Sequence, residues 1–467
     1  MDISDHPLHK FFYPESVALI GASANPVKPS YNLIGNQLKL GYQGRMYPVH
    51  PTEKEILGLK VYPSVGSIEE TVDLAVITVP HVQAPRILQE CIEKGIRRVI
   101  LVAGGFSETG EKGRKVQQRM LELVRKNGVR ALGPNALSPI NPRHHFAISF
   151  HSIDRLKTGG LSLIFQSGLY EPRLRWMFSA FNLHLNKLLD LGNKMDLNEV
   201  DALSYLVFDP LTRVIGLHLE SIEGEGRQFL DLIRQASDLG KRVVVLKSGR
   251  TEEGAKAAAS HTGVMVQGND RVLDRLLKQC GAIRAYTVEE FFDLARALER
   301  FGTLTLKGDR IAVATLPGGE AVIMTDLVQQ EGMKMARANQ STINKLKSIS
   351  PPWEISANPF DLGVALQFNN SISVYETLVA ALSEDENIDA LHLQIPEQIL
   401  FLPREQFEMF HRAPALGKPL ALWVAGVESG TYENLQWLED QGIPVFPSPE
   451  KAIRALSALH QLSKYGP

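Results

Sequence analysis

Short apolar runs alternate with longer amphipathic stretches along the first third of the chain. The apolar runs cover residues 16–20, 45–49, 74–79, 98–102 and 129–132, and helix-like patterns cover residues 31–40, 84–94 and 113–126. A continuous apolar run of this length is typical of a strand buried on both faces, and strands that alternate with helices form parallel sheets. We therefore predict a first α/β domain over residues 1–145, built on a parallel, doubly wound sheet.

The same alternation continues through two further segments. Predicted strands lie at residues 161–165, 213–219 and 242–246 in one segment, and at residues 310–315, 390–395, 419–424 and 444–446 in the other. A helix predicted over residues 288–300 leads into a linker at residues 301–308. We predict a second α/β domain over residues 146–300 and a third over residues 309–467, so the fold class is α/β throughout.

Bulk composition excludes several classes of protein. The chain has 467 residues, is 44% hydrophobic and 22% charged, and carries a formal net charge of −2. This length suits about three domains, and the charge balance gives no electrostatic case for binding nucleic acid or an anionic membrane. No apolar stretch approaches the roughly 20 residues of a membrane span, and the N-terminus lacks the pattern of a signal peptide. Because Cys91 and Cys280 are far apart and lack a metal-ligand spacing, we expect a cytoplasmic protein without structural zinc.

Residues 247–263 carry the most chemically specific pattern. They follow the predicted strand 242–246, contain three glycines and a block of small residues at 257–260, and include His261 near their end. Ligands bind at the carboxyl ends of strands in open α/β sheets, and a loop rich in small residues is pliable. A histidine that is largely neutral at pH 7 is nucleophilic, so His261 could accept a group at one place and deliver it at another. The pattern alone also fits a histidine that only caps or packs the loop.

The first predicted domain raises the question of NAD binding. The loop after residue 20 reads Gly-Ala-Ser-Ala-Asn rather than Gly-x-Gly-x-x-Gly, and the second strand ends in Val49-His50-Pro51 rather than in an acid that could bind ribose hydroxyls. These features argue against a Rossmann oxidoreductase, which stays a third and less favoured interpretation. They leave a nucleotide-phosphate cradle of unspecified type.

Lys247-Ser-Gly-Arg-Thr, followed by Ser-His-Thr-Gly, resembles the phosphohistidine loop of the NDP-forming acyl-CoA synthetases. These include the α subunits of the ADP-forming acetyl-CoA synthetases and, more distantly, those of the succinyl-CoA synthetases. The resemblance implies that His261 is phosphorylated and that its loop swings between two sites. It also implies supporting residues: Glu220 beside the histidine, and Gln166, Ser167 and Gly168 around the phosphoryl group. The N-terminus of the helix expected after Gly168 would favour an anion. The residues alone, however, also fit a surface acid at Glu220 and an ordinary βα turn at residues 166–168.

Three segments of the first predicted domain, residues 14–23, 44–51 and 62–65, resemble the CoA-binding domain of that family. The resemblance implies a Rossmann-like CoA-binding domain followed by two flavodoxin-like domains. It further implies a set of residues that contact the substrate coenzyme A. Gly21, Ala22, Ser23 and Lys28 face its nucleotide, Pro51 and Lys54 border it, and Val102, Ala103 and Gly104 line the pantetheine side. After the position of Lys28 the family has glycine-rich sequence, where the present chain has Pro29-Ser30.

The resemblance implies a reversible synthesis of ATP from acyl-CoA, phosphate and ADP through an acyl phosphate and a phosphohistidine. We find no convincing ATP-grasp region and no Gly-x-x-x-x-Gly-Lys-Ser/Thr loop, so we expect a separate ATP-grasp β subunit that binds ATP or ADP with Mg²⁺ in an α2β2-type assembly.

One departure from the family pattern keeps an alternative function open. The family has small residues after Ser-Gln-Ser-Gly, whereas Phe165 precedes and Tyr170 and Glu171 follow the turn here. This bulk and charge predict either an acyl group other than acetate or a catalytically impaired acyl-CoA-binding or regulatory protein.

Overall fold

The computed structural model describes residues 2–154, 156–166, 168–262, 269–316, 318–427 and 432–465, without the side chains of residues 169 and 259–262. The chain forms two compact units. The first comprises residues 1–178 with 183–286, and the second comprises residues 179–182 with 287–467. In the described part of the chain, no helix combines the length and the apolar character needed to cross a bilayer.

Strands β1 to β14 and helices α1 to α9 follow one another up to residue 285. The strands are β1 Ser16–Ile20, β2 Arg45–Val49, β3 Glu55–Ile56, β4 Leu59–Lys60, β5 Leu74–Ile77, β6 Arg98–Leu101, β7 Arg130–Leu132, β8 Ile140–Asn141, β9 Phe146–Ala147, β10 Lys157–Phe165, β11 His184–Asp190, β12 Val214–Leu219, β13 Arg242–Lys247 and β14 Ala282–Ala285. The helices are α1 His9–Phe12, α2 Asn32–Leu40, α3 Ala84–Glu93, α4 Glu111–Lys126, α5 Leu174–Ala180, α6 Glu199–Leu206, α7 Gly226–Asp238, α8 Glu252–Thr262 and α9 Asp270–Gln279.

Two sheets organise the first unit. The first sheet is parallel, with strand order β2-β1-β5-β6-β7. The second has the order β14-β13-β12-β10-β11-β8-β9, in which β8 and β9 run antiparallel. Apolar side chains of both sheets, such as Val17 of β1 and Ile215 of β12, belong to one continuous buried core. The strand pairing carries residues 140–147 into the second sheet, and the predicted boundary at residue 145 stays a prediction.

Strand β11 is absent from the sequence-based prediction because polar residues interrupt its apolar pattern. Asn186 and Lys187 lie in its middle and are buried. Their nitrogen atoms donate to one carboxylate oxygen of Asp209, at 2.7 Å and 2.8 Å respectively. The ammonium group of Lys187 also lies 5.1 Å from the ring centroid of Tyr13. Because these partners compensate the buried polar groups, a largely polar sequence forms a buried strand.

Helix α8 spans residues 252–262, so the prediction of a pliable loop over residues 247–263 is wrong for this part. Alanine, the strongest helix former, occupies four of the eleven positions in the helix. The hydroxyl of Thr251 accepts the N–H of Gly254 at 3.0 Å and caps the first turn. Lys256 pairs with both glutamates of that turn. Local helix propensity therefore outweighs the glycines that favoured a loop.

The second unit repeats the α/β alternation. Its strands are β15 Arg310–Thr315, β16 Lys334–Met335, β17 Phe360–Asp361, β18 Ala390–Gln394, β19 Leu420–Trp423 and β20 Val445–Phe446. Its helices are α10 Val288–Arg300, α11 Gly318–Gln330, α12 Gln340–Lys347, α13 Leu362–Phe368, α14 Ser371–Glu384, α15 Arg412–Ala415, α16 Glu433–Asp440 and α17 Pro449–Tyr465. The sheet is parallel with order β16-β15-β18-β19-β20, and β17 pairs with β15.

Helix α10 has the predicted bounds and lies in the second unit. Its Arg296 and Arg300 both form buried ion pairs with Glu439 of α16. These pairs bind α10 to another helix of the second unit, whereas the sequence places α10 at the end of the predicted domain 146–300. The bounds of the second and third predicted domains stay predictions.

Candidate active site

The carboxyl ends of four neighbouring strands meet at one edge of the second sheet. Strands β13, β12, β10 and β11 are adjacent and parallel. The residues at or just beyond their ends are Ser248, Glu220, Gln166 and Asp190, respectively. Open α/β sheets bind ligands at this edge. The fold therefore brings together two of the predicted site residues, Glu220 and Gln166.

Gln166 holds the main chain just beyond strand β12. Its Oε1 accepts the main-chain N–H groups of Glu220 at 2.8 Å and of Ser221 at 2.9 Å, and its Nε2 donates to the hydroxyl of Ser221 at 2.9 Å. The side chain is buried, with 3% of the residue exposed. In this conformation the amide group positions Glu220, and phosphate binding by Gln166 stays a prediction.

Lys247 holds the same segment from the next strand. Its ammonium group donates to the main-chain oxygen of Glu220 at 2.6 Å and also to that of Ser248. Burial, and then the positive charge of Arg284, lower the pKa of Lys247 to about 8. The lysine therefore keeps most of its charge at neutral pH while being largely withdrawn from water.

A buried ion pair supports the loop that follows Glu220. The ammonium group of Lys194 donates to the main-chain oxygen of Ser221 and to a carboxylate oxygen of Glu199, both at 2.9 Å. The other oxygen of Glu199 accepts the N–H groups of residues 223 and 224, each at 2.7 Å. Together with Gln166 and Lys247, this pair fixes the main chain from which the Glu220 carboxylate extends.

The bulky residues around the Gln-Ser-Gly turn are buried. The rings of Phe165 and Tyr170 have centroids 4.0 Å apart, and each residue is 1% exposed. The Tyr170 hydroxyl lies 2.7 Å from Nδ1 of His218. The carboxylate of Glu171 accepts the hydroxyl of Ser149 at 2.9 Å and the main-chain N–H groups of residues 150 and 151. The aromatic pair thus lies inside the protein, and the loop after β9 engages the charge of Glu171.

Asp190 contributes a second buried carboxyl group to the edge. Its oxygens accept the N–H groups of Leu137 at 3.2 Å and Gly192 at 3.1 Å. Burial and the negative charges of Glu171 and Glu220 outweigh these hydrogen bonds and raise the pKa of Asp190 to about 7. Among the described residues, no group of three or more His, Cys, Asp or Glu side chains is placed to hold a metal ion.

The structure describes the predicted nucleophile and phosphate turn only in part. The main chain of His261 lies in the last turn of α8, but its side chain and the whole of Ser167 lie outside the described residues. Gly168 begins a 3₁₀ helix, Gly168–Arg173, and is exposed. Helix α8 lies against the turn Ser107–Thr109, which follows strand β6 of the first sheet. The chain that carries His261 therefore runs beside the predicted CoA-binding domain, and its pairing with Glu220 stays a prediction.

Gly21 directly follows strand β1, at a position where a side chain would not fit. Its φ is +90°, and a Cβ atom would meet the hydroxyl oxygen of Thr78 at 2.7 Å. That hydroxyl donates to the main-chain oxygen of Ile20 at 2.7 Å, and the N–H of Gly21 donates to that of Val49 at 3.0 Å. The adjoining ends of β1, β2 and β5 are thereby held close together, and glycine leaves room above them.

A cavity of about 370 Å³ opens at these strand ends. Its lining includes Gly21, His50, Pro51, Ser64, Thr78 and Arg86. Two of the residues predicted to contact CoA, Gly21 and Pro51, therefore share one cavity. The other members of the predicted nucleotide set do not line it: Ala22 is buried, while Ser23, Lys28 and Lys54 lie in the loops after β1 and β2. The volume lies in the range of small-molecule sites.

Val102, Ala103 and Gly104 follow strand β6 at the same edge. A Cβ atom on Gly104 would meet Oε1 of Glu108 at 2.9 Å. Oε1 of Glu108 accepts the N–H of residue 105 at 2.6 Å, and its other oxygen accepts Nδ2 of Asn193 at 2.7 Å. Burial raises the pKa of Glu108, but these and further hydrogen bonds outweigh it and hold the pKa below its usual range.

Residues 191–196 also resemble a family segment near the site, but the sequence does not show the contacts by which they and other residues build it. Glu108 and Asn193 bond over a separation of 85 positions, which no local pattern reveals. Lys194 has a left-handed main chain with φ of +52°, which is uncommon for lysine and invisible in the sequence. Asp190 did carry a usable signal, since it is an acid at the end of a strand, like Glu220. That signal was lost because strand β11 was itself not predicted.

Comparison with known proteins places the chain in a family. Residues 15–141 match the CoA binding domain family, and residues 158–298 match the succinyl-CoA ligase like flavodoxin domain. The chain is 38% identical over 467 residues to the acetate–CoA ligase (ADP-forming) I subunit alpha of Pyrococcus furiosus, covering 98% of each chain. It is 35% identical over 462 residues to the acetate–CoA ligase (ADP-forming) II of Archaeoglobus fulgidus, covering 98% of this chain and 67% of that one.

The chain belongs to the ADP-forming acetate–CoA ligase family.

Solved structures of this fold agree with the assignment. The dinucleotide-forming acetyl-coenzyme A synthetase 1 of Candidatus Korarchaeum cryptofilum, in complex with phosphate and ADP, superposes with a TM-score of 0.86. It is 30% identical, and the match covers 98% of this chain and 97% of that chain. A protein from Pyrococcus horikoshii superposes with a TM-score of 0.83 at 26% identity, covering 98% and 99%.

These findings confirm the predicted family and the predicted α/β fold, with a CoA-binding domain followed by a flavodoxin-like domain. The chain is thus a member of a ligase family and carries a domain of the CoA-binding type. The individual site residues taken from the resemblance stay predictions.

Proposed function

We propose that this chain is the α-type part of an ADP-forming acyl-CoA synthetase. It interconverts acyl-CoA, ADP and phosphate with a carboxylic acid, CoA and ATP. The observation that carries this proposal is the end-to-end match to the alpha subunit of Pyrococcus furiosus, 98% of both chains at 38% identity. The strand edge that bears Glu220 and Gln166, and the cavity beside Gly21, lie in the two parts matched by the domain families.

The reaction divides into three substitutions. An oxygen of inorganic phosphate attacks the thioester carbon of acyl-CoA, and the carbon–sulfur bond breaks to give an acyl phosphate and the thiol of CoA. An imidazole nitrogen of His261 then attacks the phosphorus, and the phosphorus–oxygen bond to the acyl group breaks, releasing the carboxylate. Finally, an oxygen of ADP attacks phosphohistidine, forming ATP and restoring the imidazole.

Glu220 has a defined task in the second substitution. It accepts the N–H of the imidazole nitrogen that does not attack, which fixes the tautomer and stabilises the positive charge that develops on the ring. The buried clamp formed by Gln166, Lys194 and Lys247 supports this task, because it fixes the main chain of residues 220 and 221. Gly168, the first residue of the 3₁₀ helix, offers its N–H group to the transferred phosphoryl group, and Ser167, which precedes it in sequence, is assigned to the same group.

Coenzyme A is the substrate that the first sheet holds. Gly21, with Ala22 and Ser23 after it, lets the nucleotide approach the end of β1, and the cavity supplies hydroxyl groups and the cation of Arg86. Val102, Ala103 and Gly104 continue the same sheet edge toward helix α8, which lies against the turn Ser107–Thr109. This path leads the thiol end of CoA toward the segment that bears His261.

The nucleotide half of the reaction belongs to a partner. We assign ATP or ADP and Mg²⁺ to an ATP-grasp β subunit in an α2β2-type assembly. One relative is named as a subunit alpha and matches this chain end to end, which supports a divided enzyme. The Archaeoglobus fulgidus chain is longer, with 67% of it matched, so it has a further segment that this match does not cover. The third substitution therefore requires the second protein or an equivalent domain.

Phosphohistidine labelling tests the proposal. The chain is incubated with ³²P-phosphate and each member of an acyl-CoA panel, from acetyl-CoA to larger aliphatic and aromatic thioesters. We expect an acid-labile, base-stable label that is lost in His261→Asn and retained in His411→Asn, a control histidine in the second unit. A chain that binds CoA but gives no label with any thioester would instead support the alternative, an acyl-CoA-binding or regulatory protein.

A further inference from the structure

Three side chains form a buried hydrogen-bonded series beside the proposed site. The Tyr170 hydroxyl lies 2.7 Å from Nδ1 of His218, and Nε2 of His218 lies 2.7 Å from the hydroxyl oxygen of Ser248. Tyr170 is 1% exposed and His218 is 4% exposed. The chemistry proposed above assigns no task to any of the three. We call this series the Tyr–His–Ser relay.

The relay joins two segments that the proposed reaction must keep in register. Tyr170 lies in the 3₁₀ helix Gly168–Arg173, directly after the turn expected to hold phosphate. Ser248 is the first residue beyond β13, and helix α8, which carries His261, begins four residues later. His218 stands in strand β12 two residues before Glu220. One imidazole therefore links the phosphate turn, the strand of the supporting acid and the base of the histidine-bearing segment.

The protonation state of the relay is fixed by its surroundings. Burial, and then the charge of Lys247, lower the pKa of His218 to about 4, so the ring is neutral at pH 7. Burial raises the pKa of the Tyr170 hydroxyl, which therefore stays protonated. A neutral imidazole has one donor and one acceptor nitrogen. It can accept from the tyrosine on one side only while donating to the serine on the other, or the reverse, so the two hydrogen bonds depend on each other.

We propose that His218 is a positioning residue for phosphoryl transfer, which ties Tyr170 beside the phosphate turn to Ser248 at the base of the segment that carries His261. This inference rests on the proposed function. The relay orients the Ser248 hydroxyl and holds the start of the segment whose far end carries His261. Tyr170, an aromatic residue where the family has a small one, then supports turnover through its hydrogen bond to His218.

Three conservative variants test the relay without opening a large cavity. Tyr170→Phe removes one hydroxyl, Ser248→Ala removes the other, and the double variant removes both ends of the relay. Tyr375→Phe is the matched control, because Tyr375 is fully buried in the second unit and its hydroxyl donates to the main-chain oxygen of Gln394 at 2.6 Å. Thermal unfolding of each variant reports whether it is folded.

The readouts are the single-turnover rate of His261 phosphorylation, with the thioester that labels the wild-type chain fastest, and the Kd for CoA. We expect each single variant to be slowed about tenfold, the loss expected for one hydrogen bond. We expect the double variant to be no slower than the slower single variant, because one imidazole couples the two ends. The Kd for CoA should change by less than about twofold in all variants.

Several outcomes would overturn the relay. Rate losses that multiply in the double variant, an equal loss in Tyr375→Phe, or a parallel change in the Kd for CoA would each show that these hydroxyls act independently or only through general stability. His218→Gln, which retains a donor and an acceptor, should recover more activity than His218→Leu, and equal rates in the two would also contradict the proposal. A wild-type chain that never labels would overturn the proposed function and the relay with it, whereas a labelled wild type with unaffected variants overturns the relay alone.

Discussion

Oε1 of Gln166 lies 2.8 Å from the main-chain nitrogen of Glu220 and accepts its N–H. The residue that precedes the phosphate turn therefore fixes the strand end that bears the proposed supporting acid. The turn and the acid follow neighbouring strands, β10 and β12, so the amide group of Gln166 couples the two halves of the site. Substitution of Gln166 should therefore affect the site even though its side chain is buried and bonds the main chain.

Gln166→Leu should weaken both stability and catalysis. It leaves the buried N–H groups of residues 220 and 221 without their acceptor, at a cost of about 1–3 kcal/mol in the free energy of unfolding. A displaced acid should also slow His261 phosphorylation by about tenfold or more. Gln37→Leu is the control, since Gln37 is also buried and bonds the main chain of Ala147 through both amide atoms. If both variants lose stability but phosphorylate at the same rate, the coupling is absent.

Glu220→Gln should leave CoA binding intact and slow phosphohistidine formation. The amide keeps the shape of the side chain but cannot stabilise the imidazolium by charge, so we expect a loss of roughly 10²-fold or more in the labelling rate. Glu223→Gln, an exposed change three residues away, supplies the comparison for loss of one negative charge. Equal labelling rates in the two variants would remove Glu220 from the mechanism.

Gly21→Ala should weaken CoA binding specifically. Alanine at φ of +90° is strained, and its Cβ would press on the hydroxyl of Thr78 at the wall of the cavity. Gly95→Ala carries a similar main-chain strain at φ of +87°, but no atom lies within 4 Å of the added Cβ. Calorimetric titration with CoA should show a Kd raised about tenfold for Gly21→Ala and unchanged for Gly95→Ala. A common effect on both would assign the change to strain alone.

Asp190 should make the protein less stable as the pH rises. Its pKa is raised from an ordinary value near 4 to about 7, so between these values the folded state holds a proton that the unfolded state has lost. The contribution is complete below pH 4 and is lost as the pH rises to 7, on the order of a few kcal/mol in total. Asp190→Asn does not titrate, so the difference in stability between pH 5 and pH 8 should be smaller in the variant. Denaturant unfolding of both proteins at the two pH values measures this difference. An equal change in the free energy of unfolding between pH 5 and pH 8 in the two proteins would contradict the prediction.

Much of the scaffold could be predicted because its strands are uninterrupted apolar runs. Strands β1, β2 and β15 have the predicted bounds, since burial of most of their residues leaves a clear apolar pattern. Helix α10 also has the predicted bounds. Strand β11 could not be predicted because Asn186 and Lys187 are polar. Only their pairing with Asp209, more than 20 residues away in sequence, compensates their burial in the core. Helix α8 differs from the predicted loop because its four alanines favour a helix more strongly than its glycine favours a loop.

The site, like the fold, could be predicted only in part. Glu220 and Gln166 could be placed because each follows a predicted strand, and parallel strands end at one edge. The partners of these residues could not be placed, since Tyr170, His218 and Ser248 meet only in the folded chain. The sequence shows that the charge of Glu171 follows the turn, but not that the main chain of residues 150 and 151 engages it. Hydrogen bonds between distant segments decide such details, and no local pattern encodes them.

The account depends on one phosphoryl group residing on His261 between two reactions. The direct measurement is a pulse and chase on the wild-type chain, with the label located by tandem mass spectrometry. ³²P-phosphate and acyl-CoA are supplied first, and after their removal ADP, Mg²⁺ and the candidate β subunit are added. We expect the label on His261 alone after the pulse, and its transfer to ATP only when both ADP and the β subunit are present. A label on another residue, or ATP formed from this chain without any nucleotide-binding partner, would contradict the account.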